Sequence, residues 1–346
     1  MLEWKKLGDV ANLIRGKVLS KDYIRDNKGI YPVYSSQTAN DGVLGCIDTF
    51  MFNGDYLTWT TDGAYAGTIF RRKGKFNITN VCGLIDIHSD SNIIQDYLYY
   101  WLSLTAKSYV LEGMGNPKLM SNVASTIRIP IPSKSEQERI VSILDTFTSS
   151  IANLKEQIKE RRKQYEHYRD QLLKQIDKVE CIKQNCVIIK GTYITKKDTT
   201  PGCIPVILGG QEPAYYIDKS NHEGKAIVIS RSGASAGYVS FWNEPIFVTD
   251  GFLIEPKNET LLIEYLFHAL KNKQSEIQSL KRGAGVPHIT TNHINEFVIP
   301  KPSLQTQSRI VSILDQFEAS IANLEAQLKE REKQYEYYRN QLLTFE

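Results

Sequence analysis

"RIVSILDTFTSSIANLKEQIKERRKQYEHYRDQLL" (Arg139–Leu173) is written a second time, with few changes, as "RIVSILDQFEASIANLEAQLKEREKQYEYYRNQLL" (Arg309–Leu343). Between Pro130–Leu173 and Pro300–Leu343 about 30 of 44 positions are identical. A self-match at a fixed offset sets the architecture and is read before any local pattern. Apolar residues in the first copy fall at Ile140, Leu144, Phe147, Ile151, Leu154 and Ile158, then at Tyr165, Tyr168 and Leu172. Steps of three and four alternate, which is the seam of a coiled coil. The second copy repeats it at Ile310, Leu314, Phe317, Ile321, Leu324 and Leu328, then Tyr335, Tyr338 and Leu342. Arg161 and Arg331 interrupt the seam at matching places. Each either snorkels to water or makes a specific contact that sets register. Ser133 with Glu136 is a capping-box pattern behind two prolines; the second copy has Thr306 opposite Ser303.

The matches outside the helices are punctuation. "GAYAG" (Gly63–Gly67) answers "GASAG" (Gly233–Gly237), and "GMGNPKLMSN" (Gly113–Asn122) answers "GAGVPHITTN" (Gly283–Asn292). "IPIPS" (Ile129–Ser133) answers "IPKPS" (Ile299–Ser303). The chain therefore reads as two copies of one unit, a globular head followed by a long helix. The divisions are 1–132, 133–178, 179–302 and 303–346. Short β-type runs such as "YLTWTT" and "KAIVIS", with "QDYLYYWLSL" (Gln95–Leu104) and "IEYLFHALKN" (Ile263–Asn272) as short helices, make each head α+β with a twisted, mostly antiparallel sheet. A helix of roughly 37 residues is about 55 Å long. The first helix must deliver the chain to the second head, so the two helices are expected to pair antiparallel, related by a pseudo-two-fold axis.

A chain of 346 residues exceeds one ordinary core. No apolar run suits a membrane span or a secretory leader, so a cytoplasmic protein is expected. Five cysteines without a C-x-x-C pair read as reduced thiols. A metal site at Cys181 and Cys186 lacks partner ligands at zinc spacing. The net charge of +3 is a weak pointer to nucleic acid, since clustering matters more than the total.

The outer faces of the helices also recur: Lys159, Glu160, Lys163, Gln164 and Glu166 answer Lys329, Glu330, Lys333, Gln334 and Glu336. Two identical surfaces related by a dyad suit two copies of one partner. Two differing heads suit a bipartite DNA target, whose half-site separation mirrors the protein.

The chain resembles the specificity subunits of type I restriction–modification enzymes. The residues that carry the likeness are "LEWKKLGDVANLIRGK" at the start, "ISRSGASAGYVSFW" (Ile229–Trp242), and "IPIPSKSEQERIVSILD" (Ile129–Asp145) with its repeat "IPKPSLQTQSRIVSILD" (Ile299–Asp315). The resemblance implies a non-catalytic subunit. Each head is a target-recognition domain reading one half of a split double-stranded DNA site. The helices set the spacer and dock two adenine methyltransferase subunits. S-adenosylmethionine then belongs to those partners, ATP and Mg to separate restriction subunits, and no cofactor or membrane to this chain.

Residue chemistry is consistent with that expectation. There is no adenine-methylation motif, since Asn116-Pro117 is followed by lysine, and no phosphate loop. Phosphates call for cations, and base edges call for amide or guanidinium donors. In the first head the candidates are Arg15 and Lys17, the turn residues Ser36, Gln37 and Thr38, Tyr65 at a hairpin tip, the run Arg71-Arg72-Lys73, and Lys118. In the second head they are Lys196, Lys197 and Gln211, then Arg231, Ser232 and Ser235, then Lys281, Arg282, His288 and Thr290. Gln37 and Gln211 suit adenine, and Arg231 suits guanine. The G-A-x-A-G turns read equally as hairpin geometry, and Trp59, Trp101 and Trp242 as core. The helical seam residues, Ile140 to Tyr165 and Ile310 to Tyr335 as named above, are the expected spacer and partner-binding set. A coiled-coil protein scaffold and a stand-alone dyadic DNA-binding regulator are the rival readings. Steep loss of DNA affinity with salt would exclude the scaffold.

Overall fold

The computed structural model describes residues 2–112, 115–210, 212–283 and 285–345. Contacts divide the chain into two compact units, Met1–Ala152 with Glu330–Glu346, and Asn153–Lys329. The long helices run Lys134–Lys174 and Leu304–Leu342, close to the segments read from periodicity. The compact units group the chain differently, each taking a head and a stretch of both helices.

In unit 1, β1 (Glu3–Lys6) pairs with β8 (Arg128–Ile131) as a two-stranded ribbon. A six-stranded sheet is built from β2 (Ala11–Arg15), β3 (Lys28–Tyr34), β4 (Val43–Ile47), β5 (Phe52–Thr60), β6 (Ile69–Ile78) and β7 (Cys82–Ile87), in the order β2-β7-β5-β6-β3-β4. All pairings are antiparallel except β3 with β6, where Val33 faces Asn77. The helix Gln95–Thr105 buries Tyr97, Leu98, Tyr100, Trp101 and Leu102. They pack with Leu57, Trp59 and Ile85 of the sheet in one core. Gly83 is needed where the Trp59 ring crosses β7, because a Cβ there would lie 2.2 Å from the indole.

Unit 2 repeats the plan with one break. β9 (Val179–Cys181) pairs with β17 (Val298–Pro300). β10 (Cys186–Lys190), β13 (Lys225–Ser230), β14 (Val239–Asn243) and β16 (Gly251–Pro256) form a sheet in the order β10-β16-β13-β14. β11 (Pro201–Ile207), β12 (Tyr215–Ile217) and β15 (Phe247–Val248) form another, with β11 and β15 parallel. β14 and β15 together occupy the place of the ten-residue β6. Pro245 lies between them; it has no N–H for a ladder and so ends the strand that would have fused the two sheets.

Each core runs on into the paired helices. Ile140, Leu144 and Leu343 share the core of head one, and Leu173, Ile310 and Leu314 that of head two. Within unit 1 Phe147 stacks on Tyr338 (5.2 Å between ring centroids), and within unit 2 Phe317 stacks on Tyr168 (5.4 Å). The guanidinium of Arg331 lies over Phe147 at 5.6 Å and that of Arg161 over Phe317 at 5.8 Å. The seam arginines thus make specific cation–π contacts across the helix pair. As residue number rises along one helix it falls along the other, so within each unit the segments are antiparallel.

Two details differ from the sequence reading. Ser133 Oγ accepts from Glu136 N–H (3.3 Å), but the Glu136 carboxylate turns to Arg139 (2.8 and 2.7 Å) instead of closing a capping box. Its pKa is lowered chiefly by that hydrogen bond. The second copy therefore loses nothing with Thr306, whose N–H meets Ser303 Oγ at the same 3.3 Å. The second detail is a buried glutamine. Gln137 Oε1 accepts from Ile94 N–H (2.8 Å), and Nε2 donates to the carbonyls of Asn92 and Pro132 (both 3.0 Å). Gln307 does the same with Leu262 N–H and the carbonyls of Thr260 and Pro302, at 2.9, 3.0 and 2.9 Å. These amides tie the start of each long helix to the loop that opens each head helix. Sequence reasoning passed over them, although Gln137 and Gln307 are the only identical residues between Ser133/Ser303 and Arg139/Arg309.

Candidate nucleic-acid interface

The matched punctuation builds matched loops. Between β5 and β6, Gly63 and Gly67 adopt φ of +89° and +80°, a region glycine enters without strain. Gly67 N–H bonds the Thr60 carbonyl (2.8 Å) and Ala66 N–H that of Gly63 (2.9 Å), so the turn is a hairpin closure. A second loop is laid along it. Gly63 N–H donates to Pro117 O (3.0 Å) and Leu119 N–H to Thr61 O (2.9 Å). Leu119 is buried, and Trp59 Nε1–H holds its carbonyl at 2.9 Å from below. In unit 2, Gly233 and Gly237 have φ of +78° and +83°. Gly233 N–H donates to Pro287 O (2.9 Å) and Ile289 N–H to Arg231 O (3.0 Å). Both heads thus present a hairpin tip joined to a proline-bearing loop, on one backbone frame with different side chains.

Around the first frame the structure gathers Arg15, Lys17, Lys118 and the turn at Ser35–Thr38. Arg15 Nε donates to the Asn80 carbonyl (3.0 Å) and its guanidinium lies 4.0 Å from Asp62. Lys118 Nζ is 3.8 Å from the same carboxylate. Lys17 bridges to Thr79, whose Oγ1 bonds Ser35 Oγ (3.3 Å), and Lys17 is exposed. Tyr65 is 57% exposed on the tip, and Ser36 and Thr38 are half-buried. One Gln37 amide N–H closes its own turn on the Val43 carbonyl (2.5 Å), which leaves the second N–H and Oε1 for a base edge.

Arg71 and Arg72 are corrections. Arg71 pairs with Asp96 (2.7 Å) and Asp145 (3.1 Å), where β6 meets the head helix and the long helix. Arg72 is 3% exposed, bonded to Thr58 (3.1 Å) and Asp41 (2.7 Å), with its guanidinium 3.6 Å from the Tyr34 ring. Consecutive strand residues face opposite sides: Arg72 faces the buried side, whereas Arg71 stays partly exposed with its guanidinium held by the two acids. Lys73 is solvated, 3.9 Å from Asp55.

Around the second frame stand Arg231, Ser232, Lys281, Arg282, His288 and Thr290. Asp250 takes Arg231 Nε–H at 2.7 Å and also the Ser232 hydroxyl. That leaves the terminal nitrogens of Arg231, the fork a guanine edge accepts, with no partner among the described residues. Lys281 Nζ holds the Ala234 carbonyl (2.7 Å), which ties it to the tip. Arg282 and His288 exchange backbone hydrogen bonds at 3.0 and 2.9 Å. His288 and Thr290 are exposed, and Ser235 is half-buried. Lys196 and Lys197 are exposed on the short turn Lys196–Asp198, with Lys196 5.9 Å from the Tyr215 ring. Gln211 lies outside the described residues. Sequence reasoning included Asp62 in the hairpin tip but missed Asp250, the carboxylate that orients Arg231.

The seam residues line the helix pair and run into the head cores. Ile140, Leu144, Ile310 and Leu314 are core, and Tyr165 is 9% exposed with its hydroxyl donating to Glu318 (2.8 Å). Phe147 and Phe317 are stacked; Ile158 is buried; Ile151, Leu154, Ile321, Leu324, Leu328 and Tyr335 are half-buried. Burial of the stripe is what pairs the helices. The exposed outer face carries i,i+3 pairs, Glu156 with Lys159 (3.1 Å) and Glu160 with Lys163 (2.8 Å). Trp242, expected in the core, is half-buried beside a small cluster. No described group of three His, Cys, Asp or Glu could hold a metal. Burial pushes the Cys186 thiol up to about 12. No helix among the described residues is long and apolar enough to cross a membrane.

An internally duplicated α+β protein with two loop-built polar edges, each fused to antiparallel helix segments, is a two-headed recognition scaffold in class. The model of the type I restriction modification DNA specificity domain matches residues 1–161 and again 177–333, and the chain belongs to that family. It is 30% identical over 369 residues to a protein of Mycoplasma pneumoniae named as a type I specificity subunit, covering 98% of this chain and 97% of that one. It is 38% identical over 166 residues to the specificity subunit of the type I restriction enzyme MpnII of the same organism, covering 47% of this chain and 50% of that one. Its fold is similar to the S subunit of a type I restriction–modification system from M. genitalium, with TM-score 0.74 at 18% identity, over 100% of this chain and 97% of that one.

Proposed function

We propose that this chain is the DNA sequence-specificity subunit of a type I restriction–modification complex. The observation that carries the reading is two equivalent loop frames with unlike side chains: Asp62 against Ser232, Lys118 against His288, Tyr65 against Ser235, Thr61 against Arg231. One frame with two residue sets is what reading two different half-sites requires. Arg15, Lys17, Ser36, Thr38, Tyr65 and Lys118 contact one half-site, with Lys73 on the backbone. Arg231, Ser232, Ser235, Lys281, Arg282, His288 and Thr290 contact the other, with Lys196 and Lys197 on phosphates. Cations supply the salt-sensitive term and forked donors the base discrimination.

The paired helices set the spacer between half-sites, and their repeated outer faces hold two adenine methyltransferase subunits. S-adenosylmethionine binds those subunits, and ATP with Mg serves restriction subunits that join them. This chain carries no catalysis; it positions DNA. The test is a map of methylated adenines in the host genome with and without the gene. Loss of one asymmetric two-part motif is expected. Persistence of every motif while the methyltransferase is active would refute the reading.

A further inference from the structure

Unit 1 contains an ion-binding arrangement filled by the chain itself. Arg71 reaches from β6 to Asp96 of the head helix (2.7 Å) and Asp145 of the first long helix (3.1 Å). Its guanidinium lies 4.2 and 4.9 Å from the ring centroids of Tyr99 and Tyr100. Tyr100 Oη–H donates to the same Asp145 oxygen at 2.6 Å.

The internal repeat places Phe241, Glu264, Phe267, His268 and Asp315 at the corresponding positions of unit 2. The frame and the acids are kept; the cation is not. His268 Nε2 lies 3.0 Å from Asp315 Oδ1, in the place of the Tyr100 hydroxyl on Asp145, and the Phe267 and His268 rings stand at the sequence positions of Tyr99 and Tyr100. Glu318 takes the place of Thr148 and adds a carboxylate, which accepts from Tyr165 Oη–H (2.8 Å). Asp96 pairs with Arg71, whereas its counterpart Glu264 pairs with Lys225. What opens between β14, the helix Ile263–Asn272 and the second long helix is a cleft of 580 Å³. Asp315 and Glu318 are 55% and 43% exposed, and among the described residues neither has a lysine or arginine within 4.0 Å. Lys271 also lines the cleft. Its Nζ is committed to Val239 O and Gln274 Oε1 (both 3.0 Å), and burial, then Arg169, push it down to about 8.

We propose that this cleft binds the guanidinium of an arginine side chain carried by a partner polypeptide, seated against the Phe267 ring and paired with Asp315 and Glu318. Arg71 in the sister unit is the internal precedent for the chemistry. A planar fork that stacks and bonds two acids at once is guanidinium recognition, which a lysine ammonium reproduces poorly. An acidic cleft repels DNA, so the occupant is protein. Its identity as the methyltransferase subunit rests on the function proposed above; the binding chemistry does not.

The full chain, labelled with ¹⁵N, is titrated with N-acetyl-arginine amide while the Trp242 indole signal is followed. The expected result is a saturable shift, at least about fivefold weaker with N-acetyl-lysine amide and absent with N-acetyl-citrulline amide. It is lost in Asp315→Asn/Glu318→Gln. It is lost also in Phe241→Arg, which rebuilds the sister arrangement in cis and keeps the fold. No saturable shift, an equal shift with citrulline, or a shift that survives Phe241→Arg overturns the proposal. In parallel, Phe241→Arg should weaken assembly with the methyltransferase subunit about tenfold, the loss of one desolvated charge pair. Equal assembly by wild type and variant overturns the assigned occupant. Failure of the wild-type chain to bind any methyltransferase defeats the proposed function instead, while the arginine titration still decides the cleft.

Discussion

Replacing Gln137 with methionine keeps side-chain length and most of its volume while deleting three hydrogen bonds. Oε1 loses Ile94 N–H (2.8 Å), and Nε2 loses the Asn92 and Pro132 carbonyls (both 3.0 Å). The residue is fully buried, so water does not replace the amide. Each buried group left unpaired costs about 1–3 kcal/mol, and three groups together about 3–9 kcal/mol. For a unit of this size 1 kcal/mol moves the melting temperature by about 2–4 °C, so a fall of at least about 6 °C is expected. Trp4, Trp59 and Trp101 all belong to unit 1 and Trp242 to unit 2. Tryptophan fluorescence in a Trp242→Phe background therefore reports unit 1 alone, which matters because a two-unit chain need not melt in one step. Gln307→Met should lower the unit-2 transition, followed by near-ultraviolet dichroism, and spare the unit-1 signal. A fall below about 2 °C for Gln137→Met, against the scale just derived, would refute the clamp.

Three further outcomes are expected. Arg71→Ala should destabilise unit 1 yet leave the salt dependence of DNA binding unchanged, whereas Lys17→Ala should reduce the log–log salt slope by about 1; a filter-binding series at several salt concentrations distinguishes them. Lys271 has a folded pKa of about 8 against 10.5 when unfolded, chiefly through burial. The unfolded chain thus binds more protons between those values, and unit 2 should gain stability as pH rises through that window. Urea midpoints should show that gain flattened in Lys271→Met. Head exchange should work best with junctions inside the helices, at 152 and 330, where contacts divide the chain. A cut at 130 faces Ile140, Leu144 and Leu343 with a foreign core, and burial mismatches of that kind cost about 2–5 kcal/mol per large side chain; soluble yield and melting of the two chimeras provide the comparison.

The joined loops were legible in the sequence; the engagement of the candidate side chains on and around them was not. Lys118, Arg231 and His288 stand on the joined loops, which repeat in sequence, whereas Arg15 ends β2 and Lys17 follows it. Arg71 and Arg72 looked like a basic patch, but a strand sends neighbours to opposite faces, and one guanidinium went to Asp96 and Asp145 while the other was buried by Tyr34. Gln37 looked like a base reader, and one of its amide N–H groups closes its own turn. Composition cannot report whether a donor is already engaged, since the acceptor comes from a distant part of the chain.

The duplication, the long helices and the matched glycine turns were determined by the sequence alone, because each is a local or self-similar pattern: a 3.5-residue seam, a repeated offset, a residue that tolerates positive φ. Strand order, the break of one sheet at Pro245, and the joining of hairpin tip to proline loop were decided only by tertiary structure. So was the contrast between a filled guanidinium site in unit 1 and an open one in unit 2. A single change of Arg71 to Phe241 across the repeat carries no meaning in one dimension. It acquires one when folding brings Asp145 and Asp315, 74 residues further along each copy, against the same strand position.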